Sequence, residues 1–287
     1  MKTLLSLWEH RARQTVPCLF LTKSRPSATL AAKTEALMKL FDLSNKIAVI
    51  TGGTRGIGKG IALGMAEHGA DIVIIARTMR EDTLEEIRAK GVNAWGIAWD
   101  LGKTGTLDDL VKKVLETTGR VDILVNNAGL ILRHPADQFP DQAWQDVLDL
   151  NLTASFTLCQ RFGSKMLQQG GGKIINIGSL LSFQGGINVV SYAASKGGIL
   201  TMTKALSNEW ASRGVNVNCI VPGYISTELS AGVVNDPVRS KQLFERIPAQ
   251  RFGEPEDLAG AAIFLASRAA DYVSGESIAV DGGWLGR

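Results

Sequence analysis

Tyr192 and Lys196 stand at i and i+4 in SYAASK (191–196). On a helix that spacing puts them on one face, one turn apart. Free tyrosine titrates near ~10, so work as a base at neutral pH requires lowering it by ~3 units, about 4 kcal/mol. An ammonium one turn away, together with the positive charge of an oxidised nicotinamide, can supply such a shift. The same ammonium can bond a nicotinamide ribose. Ser179 closes the apolar run KIINIGS (173–179), where its hydroxyl can polarise a carbonyl oxygen. Asn151 lies at an expected break in a long helical stretch, and its amide can hold a water that relays protons to Lys196. Alone, a tyrosine of this kind is a core-edge residue and such a serine a cap. Jointly, downstream of a glycine-rich turn, they describe hydride transfer between a nicotinamide ring and a carbonyl or alcohol carbon.

That turn is TGGTRGIG (51–58), with Gly52, Gly56 and Gly58 spaced G-x-x-x-G-x-G. One glycine allows the tight turn, another lets backbone approach a pyrophosphate, and a third packs helix on strand. Thr54 and Ile57 complete the loop, and the helix beginning near Ile57 aims its free N–H groups at the phosphates. The second apolar run ends in Arg77, where an NAD binder carries an acid. Arg55 adds a second guanidinium, and the pair suits a 2′-phosphate. NADP(H) is therefore favoured, with NAD(H) still open. Asp100, followed by Leu101, is placed to accept the adenine amino group. In NNAG (126–129), Asn126 can tie adjacent strands, while Asn127, Ala128 and Gly129 border the cofactor.

The elements that must position these groups alternate. Strands are expected at 46–51, 71–76, 94–100, 122–127, 173–179, 215–221 and 276–282. Helices are expected at 57–68, 81–90, 106–118, 141–168 and 191–212, several closed by a glycine. Strands this apolar are buried on both faces. The fold class is therefore α/β, a single doubly wound domain with a seven-stranded parallel sheet and helices on both faces. Residues 223–255, rich in Gly, Ser, Asn and Pro before a helix at 257–266, fit a substrate lid.

Composition narrows the class. The 287 residues are 45% hydrophobic with a net charge of +3, which gives no nucleic-acid footprint. No run is long enough to span a membrane. The three histidines are scattered and imply no metal site, and the cysteines Cys18, Cys159 and Cys219 match no metal or disulfide frame. Cys159 and Cys219 read as reduced core residues in a cytoplasmic enzyme. Residues 1–37 form an N-terminal extension that is basic and rich in Ser, Thr and Ala. It reads either as a mitochondrial transit peptide or as a mis-assigned start, with residues 38–287 as the domain.

Several motifs together resemble one family. The Thr51–Gly58 loop, Asn126–Gly129, Asn151, Ser179, Tyr192, Lys196 and Pro222–Gly223 look like those of the short-chain dehydrogenase/reductase family. The resemblance runs from about residue 40 to the C-terminus. It implies a Rossmann-type fold and an Asn151, Ser179, Tyr192, Lys196 tetrad. It also implies that Pro222, Gly223, Ile225 and Thr227 border the nicotinamide, the last two holding its carboxamide. A homotetramer would be usual.

Within that family, NNAGLILR (126–133), GGKIINIGSLLSFQGG (171–186) and AADYVSGESIAVDGGWLGR (269–287) resemble a sugar-acid group. It comprises the 2-deoxy-D-gluconate 3-dehydrogenases and the overlapping 2-dehydro-3-deoxy-D-gluconate 5-dehydrogenases. Such a substrate needs a cation for its carboxylate, for which Arg133 and His134 are candidates, and Gln184 is a candidate for its hydroxyls. Arg55 and Arg77 depart from that group's NAD preference, and the extension is not part of its pattern. A 3-oxoacyl thioester or a polyol or ketose remains the alternative substrate, although no basic cluster would dock an acidic carrier protein. A nucleotide-sensing binding protein would typically lack the Tyr or Lys.

Overall fold

Apolar, β-branched runs of four to eight residues become strands here because both of their faces find cover. The strands are β1 (Ile47–Thr51), β2 (Asp71–Ala76), β3 (Ala94–Ala98), β4 (Ile123–Asn126), β5 (Gly172–Ile177), β6 (Val215–Pro222) and β7 (Ser277–Val280). The computed structural model describes residues 39–228, 230, 232 and 236–287, and Lys39–Arg287 is one compact unit. The expectations for residues 1–37 and Cys18 lie outside the described residues.

The sheet has strand order β3-β2-β1-β4-β5-β6-β7, with every pair parallel. This is the expected seven-stranded, doubly wound α/β architecture. Strand order reverses between β1 and β4, so the loops after these two strands diverge and open a crevice at their C-terminal ends.

Two layers of helices sandwich the sheet. On one face, α1 (Gly56–Glu67), α2 (Glu81–Arg88) and α8 (Ala259–Ala266) bury Ile61, Met65, Ile87 and Ile263 against Ile50, Ile72 and Ile74. On the other, α3 (Leu107–Thr118), α5 (Ala154–Gln169) and α6 (Val190–Trp210) bury Leu110, Val114, Phe162 and Trp210 against Val49, Val73 and Leu124. Among the described residues the other helices with given bounds are α4 (Asp141–Leu148), which precedes α5, and α7 (Pro237–Arg246). A third cluster joins Ile199, Cys219, Val221, Leu243, Phe252 and Trp284 beside the crevice. Cys159 and Cys219 are fully buried and unpaired.

Element ends differ from expectation in instructive ways. Strand β3 stops at Ala98 and β5 at Ile177, so Asp100 and Ser179 lie in the loops beyond. Helix α7 sits inside the 223–255 stretch, which therefore carries packed structure of its own. Among the described residues, no helix is long and apolar enough to cross a membrane.

Candidate active site

The turn after β1 is held from both sides. Thr51 Oγ1 accepts from the N–H groups of Asn127 and Ala128, each at 2.9 Å. Asn127 Nδ2 donates to the carbonyls of Thr51 at 2.9 Å and Gly52 at 3.2 Å. Asn127 therefore shapes the glycine turn through its side chain, a role its sequence position did not reveal. A Cβ on Gly58 would stand 2.4 Å from the Gly52 carbonyl oxygen and 2.5 Å from Asn127 Nδ2, so only glycine fits. Gly52 has φ +65, the left-handed region that favours glycine.

Helix α1 begins uncapped. Its N-cap Arg55 makes no side-chain cap bond, and no acid stands in the first turn. Free N–H groups and the positive end of the helix dipole are left facing the crevice, as a pyrophosphate requires. The residues present fit a dinucleotide. Thr54 is 7% exposed, and its carbonyl accepts from Thr83 Oγ1 at 3.2 Å, fixing the loop from beneath. Arg77 is exposed and in no ion pair among the described residues. Arg55 is paired with the Glu228 carboxylate, a partner not foreseen.

Asp100 is exposed, its Oδ1 accepting from Gly102 N at 3.1 Å. Leu101 is 4% exposed and packs in the core with Val49 and Leu107, so only its backbone can face a cofactor. Ile225 is 5% exposed and likewise belongs to the core, its carbonyl accepting from Ser230 Oγ. Thr227 reaches the glycine turn, its methyl lying 3.3 Å from where a Cβ on Gly56 would stand. Gly223 donates to Val280 O at 2.9 Å, and a Cβ there would be 2.6 Å from Asp281 Cα. The Pro222–Gly223 turn is thus locked against the chain following β7.

On the nicotinamide side, Asn126 Nδ2 donates to Asn176 Oδ1 at 2.9 Å, tying β4 to β5 as expected. Ser179 caps the short turn Leu180–Ser182. Its Oγ accepts from Leu181 N at 3.2 Å, while Ser182 Oγ accepts from Ser179 N at 3.2 Å and donates to Lys196 O at 2.7 Å. Ser182 therefore clamps the Ser179 turn onto α6 at the level of Lys196. The S-x-x-S spacing was its only trace in sequence. Ser179 also acts on Tyr192, where it pulls the phenol pKa downward.

Tyr192 and Lys196 do share one face of α6, with Lys196 Nζ 5.7 Å from the centre of the Tyr192 ring. Lys196 is 4% exposed and donates to Ile177 O at 2.6 Å. Burial pushes its pKa down to about 8, against a smaller upward pull from Cys219. The depression of the tyrosine expected from this ammonium together with a bound nicotinamide is opposed, in the chain alone, by burial. Burial raises the Tyr192 pKa, and the opposing pulls come from the Ser179 hydrogen bond and from the charge of Arg133. In the chain alone the phenol is held in its neutral form.

Asn151 sits in a π-helical turn, Asp149–Thr153, between α4 and α5, where the break was expected. Its Oδ1 accepts from Leu130 N, and its Nδ2 donates to Leu130 O, both at 2.9 Å, and to Ser195 Oγ at 3.2 Å. Ser195 Oγ in turn donates to Tyr192 O at 2.8 Å. Both amide hydrogens and one lone pair are spent on protein, which leaves one Oδ1 lone pair for the expected relay water. Asn151 also fixes the loop after β4 to the start of α6. Gly129 permits this approach, since a Cβ there would lie 3.3 Å from Asn151 Oδ1 and 3.9 Å from Lys196 Nζ.

Of the residues expected to meet substrate, Arg133 is exposed but close enough for its charge to act on Tyr192. His134 packs edge-on against Phe139, ring centres 5.2 Å apart, and its backbone N–H donates to Asn188 O at 3.1 Å. Gln184 is half-buried, with Oε1 accepting from Trp284 Nε1 at 3.4 Å. The site can therefore hold a neutral acid beside a hydrogen-bonding hydroxyl and a buried cation, above a cradle for phosphates.

The chain is similar to known dehydrogenases and reductases. A family model described as enoyl-(acyl carrier protein) reductase matches residues 52–285. A 2-dehydro-3-deoxy-D-gluconate 5-dehydrogenase of Dickeya dadantii (strain 3937) is 46% identical over 252 residues, covering 88% of this chain and 100% of that protein. A proposed 2-deoxy-D-gluconate 3-dehydrogenase of Agrobacterium tumefaciens, solved with bound NADP, superposes with a TM-score of 0.81 at 46% identity, covering 86% of this chain and 99% of that one. A gluconate 5-dehydrogenase of Burkholderia cenocepacia J2315, in complex with NADP and tartrate, superposes with a TM-score of 0.83 at 38% identity, covering 88% and 99%.

Proposed function

The chain belongs to the short-chain dehydrogenase/reductase family, and from that footing we propose that it interconverts the ketone and secondary alcohol of a deoxy sugar acid with NADP(H) as preferred coenzyme. The observation that carries the reading is the meeting of Tyr192, Ser179 and Lys196 with the charge of Arg133 acting on the same phenol. A carbonyl oxygen that accepts from Tyr192 stands within the field of a guanidinium, which suits a substrate bearing its own carboxylate. The similar proteins named for gluconate derivatives, and the one solved with tartrate, support that substrate class.

The reduced nicotinamide supplies a hydride when bound. Everything else falls to the chain. Gly52, Thr54, Gly56, Ile57 and Gly58 cradle the phosphates through backbone. Arg55 and Arg77 face the adenosine end, with Asp100 and the backbone of Leu101 beyond it. Asn127, Ala128 and Gly129 wall the crevice from β4, and Pro222, Gly223, Ile225 and Thr227 wall it from β6. Lys196 would hold the nicotinamide ribose. Ser179 hydrogen-bonds the substrate oxygen, and Tyr192, neutral in this environment, delivers the proton that turns a ketone into an alcohol. Arg133 receives the carboxylate, with His134 and Gln184 at its flank. Residues 38–287 are the catalytic domain, and residues 1–37 precede it.

The test is NADP reduction with 2-dehydro-3-deoxy-D-gluconate, whose C5 carries the alcohol, and NADPH consumption with 5-keto-D-gluconate, a 3-oxoacyl thioester and a simple ketose, each repeated with NAD or NADH. Turnover of a keto sugar acid at a kcat/KM well above the others, with NADP(H) preferred, is the expected result. Preference for the thioester or the ketose overturns the substrate assignment.

A further inference from the structure

The three arginines at the adenosine end of the crevice are not equivalent. Arg77 is exposed and in no ion pair among the described residues. Arg55 and Arg80 both meet one carboxylate, that of Glu228. Arg55 Nη1 is paired with Oε2, and Arg80 Nη2 lies 3.5 Å from Oε1. Glu228 is 173 residues away from Arg55 in sequence, so the pair joins the glycine turn to the chain following β6.

The backbone that carries Glu228 is anchored. Thr227 lies against the turn, with its methyl 3.3 Å from a Cβ position on Gly56. Ser230 Oγ accepts from Thr227 N at 3.0 Å and donates to Ile225 O. The carboxylate is therefore presented to the guanidinium groups by a short, hydrogen-bonded turn rather than by a loose strand of chain.

We propose that Glu228 is a specificity-determining residue for the coenzyme, an internal anion that competes with the 2′-phosphate for Arg55 and Arg80. The proposal rests on the assignment of the 51–58 turn as the nucleotide cradle. A phosphate monoester carries about −1.5 to −2 charges, more than a carboxylate, and displaces Glu228 from the guanidinium. It then remains beside a like charge. The 2′-hydroxyl of NAD brings no charge and leaves the pair intact. Glu228 thus narrows the NADP preference that the arginines create, and it does so without touching the reacting atoms.

The experiment compares wild-type protein with Glu228→Gln by calorimetric titration of adenosine 2′,5′-bisphosphate and of 5′-AMP, two probes that differ only in the 2′-phosphate. The variant is expected to bind the bisphosphate about three- to tenfold more tightly and 5′-AMP within about twofold, with the gain shrinking as salt is added. In an Arg55→Gln background the gain from Glu228→Gln should fall by at least half, because the competition needs that guanidinium. Equal effects on the two nucleotides, or a gain that survives intact without Arg55, overturn the proposal while leaving the cradle in place. Failure of the wild-type protein to bind either nucleotide overturns the cradle itself, and the competition with it.

Discussion

Lys196 Nζ stands 5.7 Å from the centre of the Tyr192 ring, one helical turn along α6, yet the phenol beside it is less acidic than free tyrosine. Burial acts on both groups at once. It drives the lysine toward its neutral form and the tyrosine toward its neutral form, and proximity of the two does not offset this. The chain by itself is therefore poised as a proton donor to a carbonyl. Oxidation of an alcohol requires the phenolate, and the charge that favours it must arrive with what binds in the crevice.

Replacing Tyr192 with phenylalanine removes only the hydroxyl. We expect kcat to fall by about 10²–10⁴-fold, the usual worth of a positioned acid. The ring stays, so coenzyme affinity measured by NADPH fluorescence should change by no more than about twofold, and thermal stability should hold. A variant retaining more than a tenth of the activity would remove Tyr192 from the proton step.

Lys196 should cost stability. Its native pKa of about 8 lies below the value of 10.5 expected when unfolded. Below about pH 8 both states hold the proton and the burial penalty is fully present. Between about 8 and 10.5 the unfolded chain binds the proton that the native chain has released, so wild-type stability rises with pH through that window. Lys196→Met should abolish activity while raising stability at pH 7 by on the order of 1–3 kcal/mol, less what the lost bond to Ile177 O contributes. Denaturant melts at pH 7 and pH 10 check the sign. A gap that widens with pH would contradict it.

Much of this site was legible in the sequence because its parts are backbone-driven. A glycine turn between a buried strand and a helix has one geometry, and the i, i+4 pair has one face. The break at Asn151 was visible too, and the structure gives it a π-turn. What could not be read were the side-chain commitments that only folding creates. Asn127 spends its amide on Thr51 and Gly52, 76 and 75 residues away. Asn151 spends its own on Leu130 and Ser195, 21 and 44 residues away. The expected strands ran two residues past the ends of β3 and β5, and nothing in the runs AWGIAWD and KIINIGS marks where pairing stops. How far burial opposes the Tyr192 shift could not be weighed from spacing.

Two glycine substitutions separate the cradle from ordinary turns. Gly58→Ala places a methyl 2.4 Å from a backbone oxygen, so backbone must move. We expect a stability loss of about 1–3 kcal/mol and at least a tenfold loss of nucleotide affinity. Gly105→Ala meets no atom within 4 Å and has no positive φ. It should be neutral, or more stable by about 0.4–1 kcal/mol, with nucleotide binding intact. Thermal melts with and without NADPH read both.

Arg133 is the residue on which the substrate class turns. It is exposed, and its charge already favours ionisation of Tyr192. Arg133→Ala should therefore do two separable things. The KM for a keto sugar acid should rise by at least about tenfold while the KM for NADPH stays put, because a charge-assisted carboxylate contact of about 1.5–3 kcal/mol is lost. The Tyr192 pKa should also rise further, since a cation that lowered it is gone, so the pH at which alcohol oxidation reaches half its maximum should move upward. Arg133→Lys, which keeps the charge but loses the fork, should restore the pH profile more fully than it restores KM. An unchanged KM in the alanine variant would take the carboxylate from Arg133 and leave the sugar acid without its anchor.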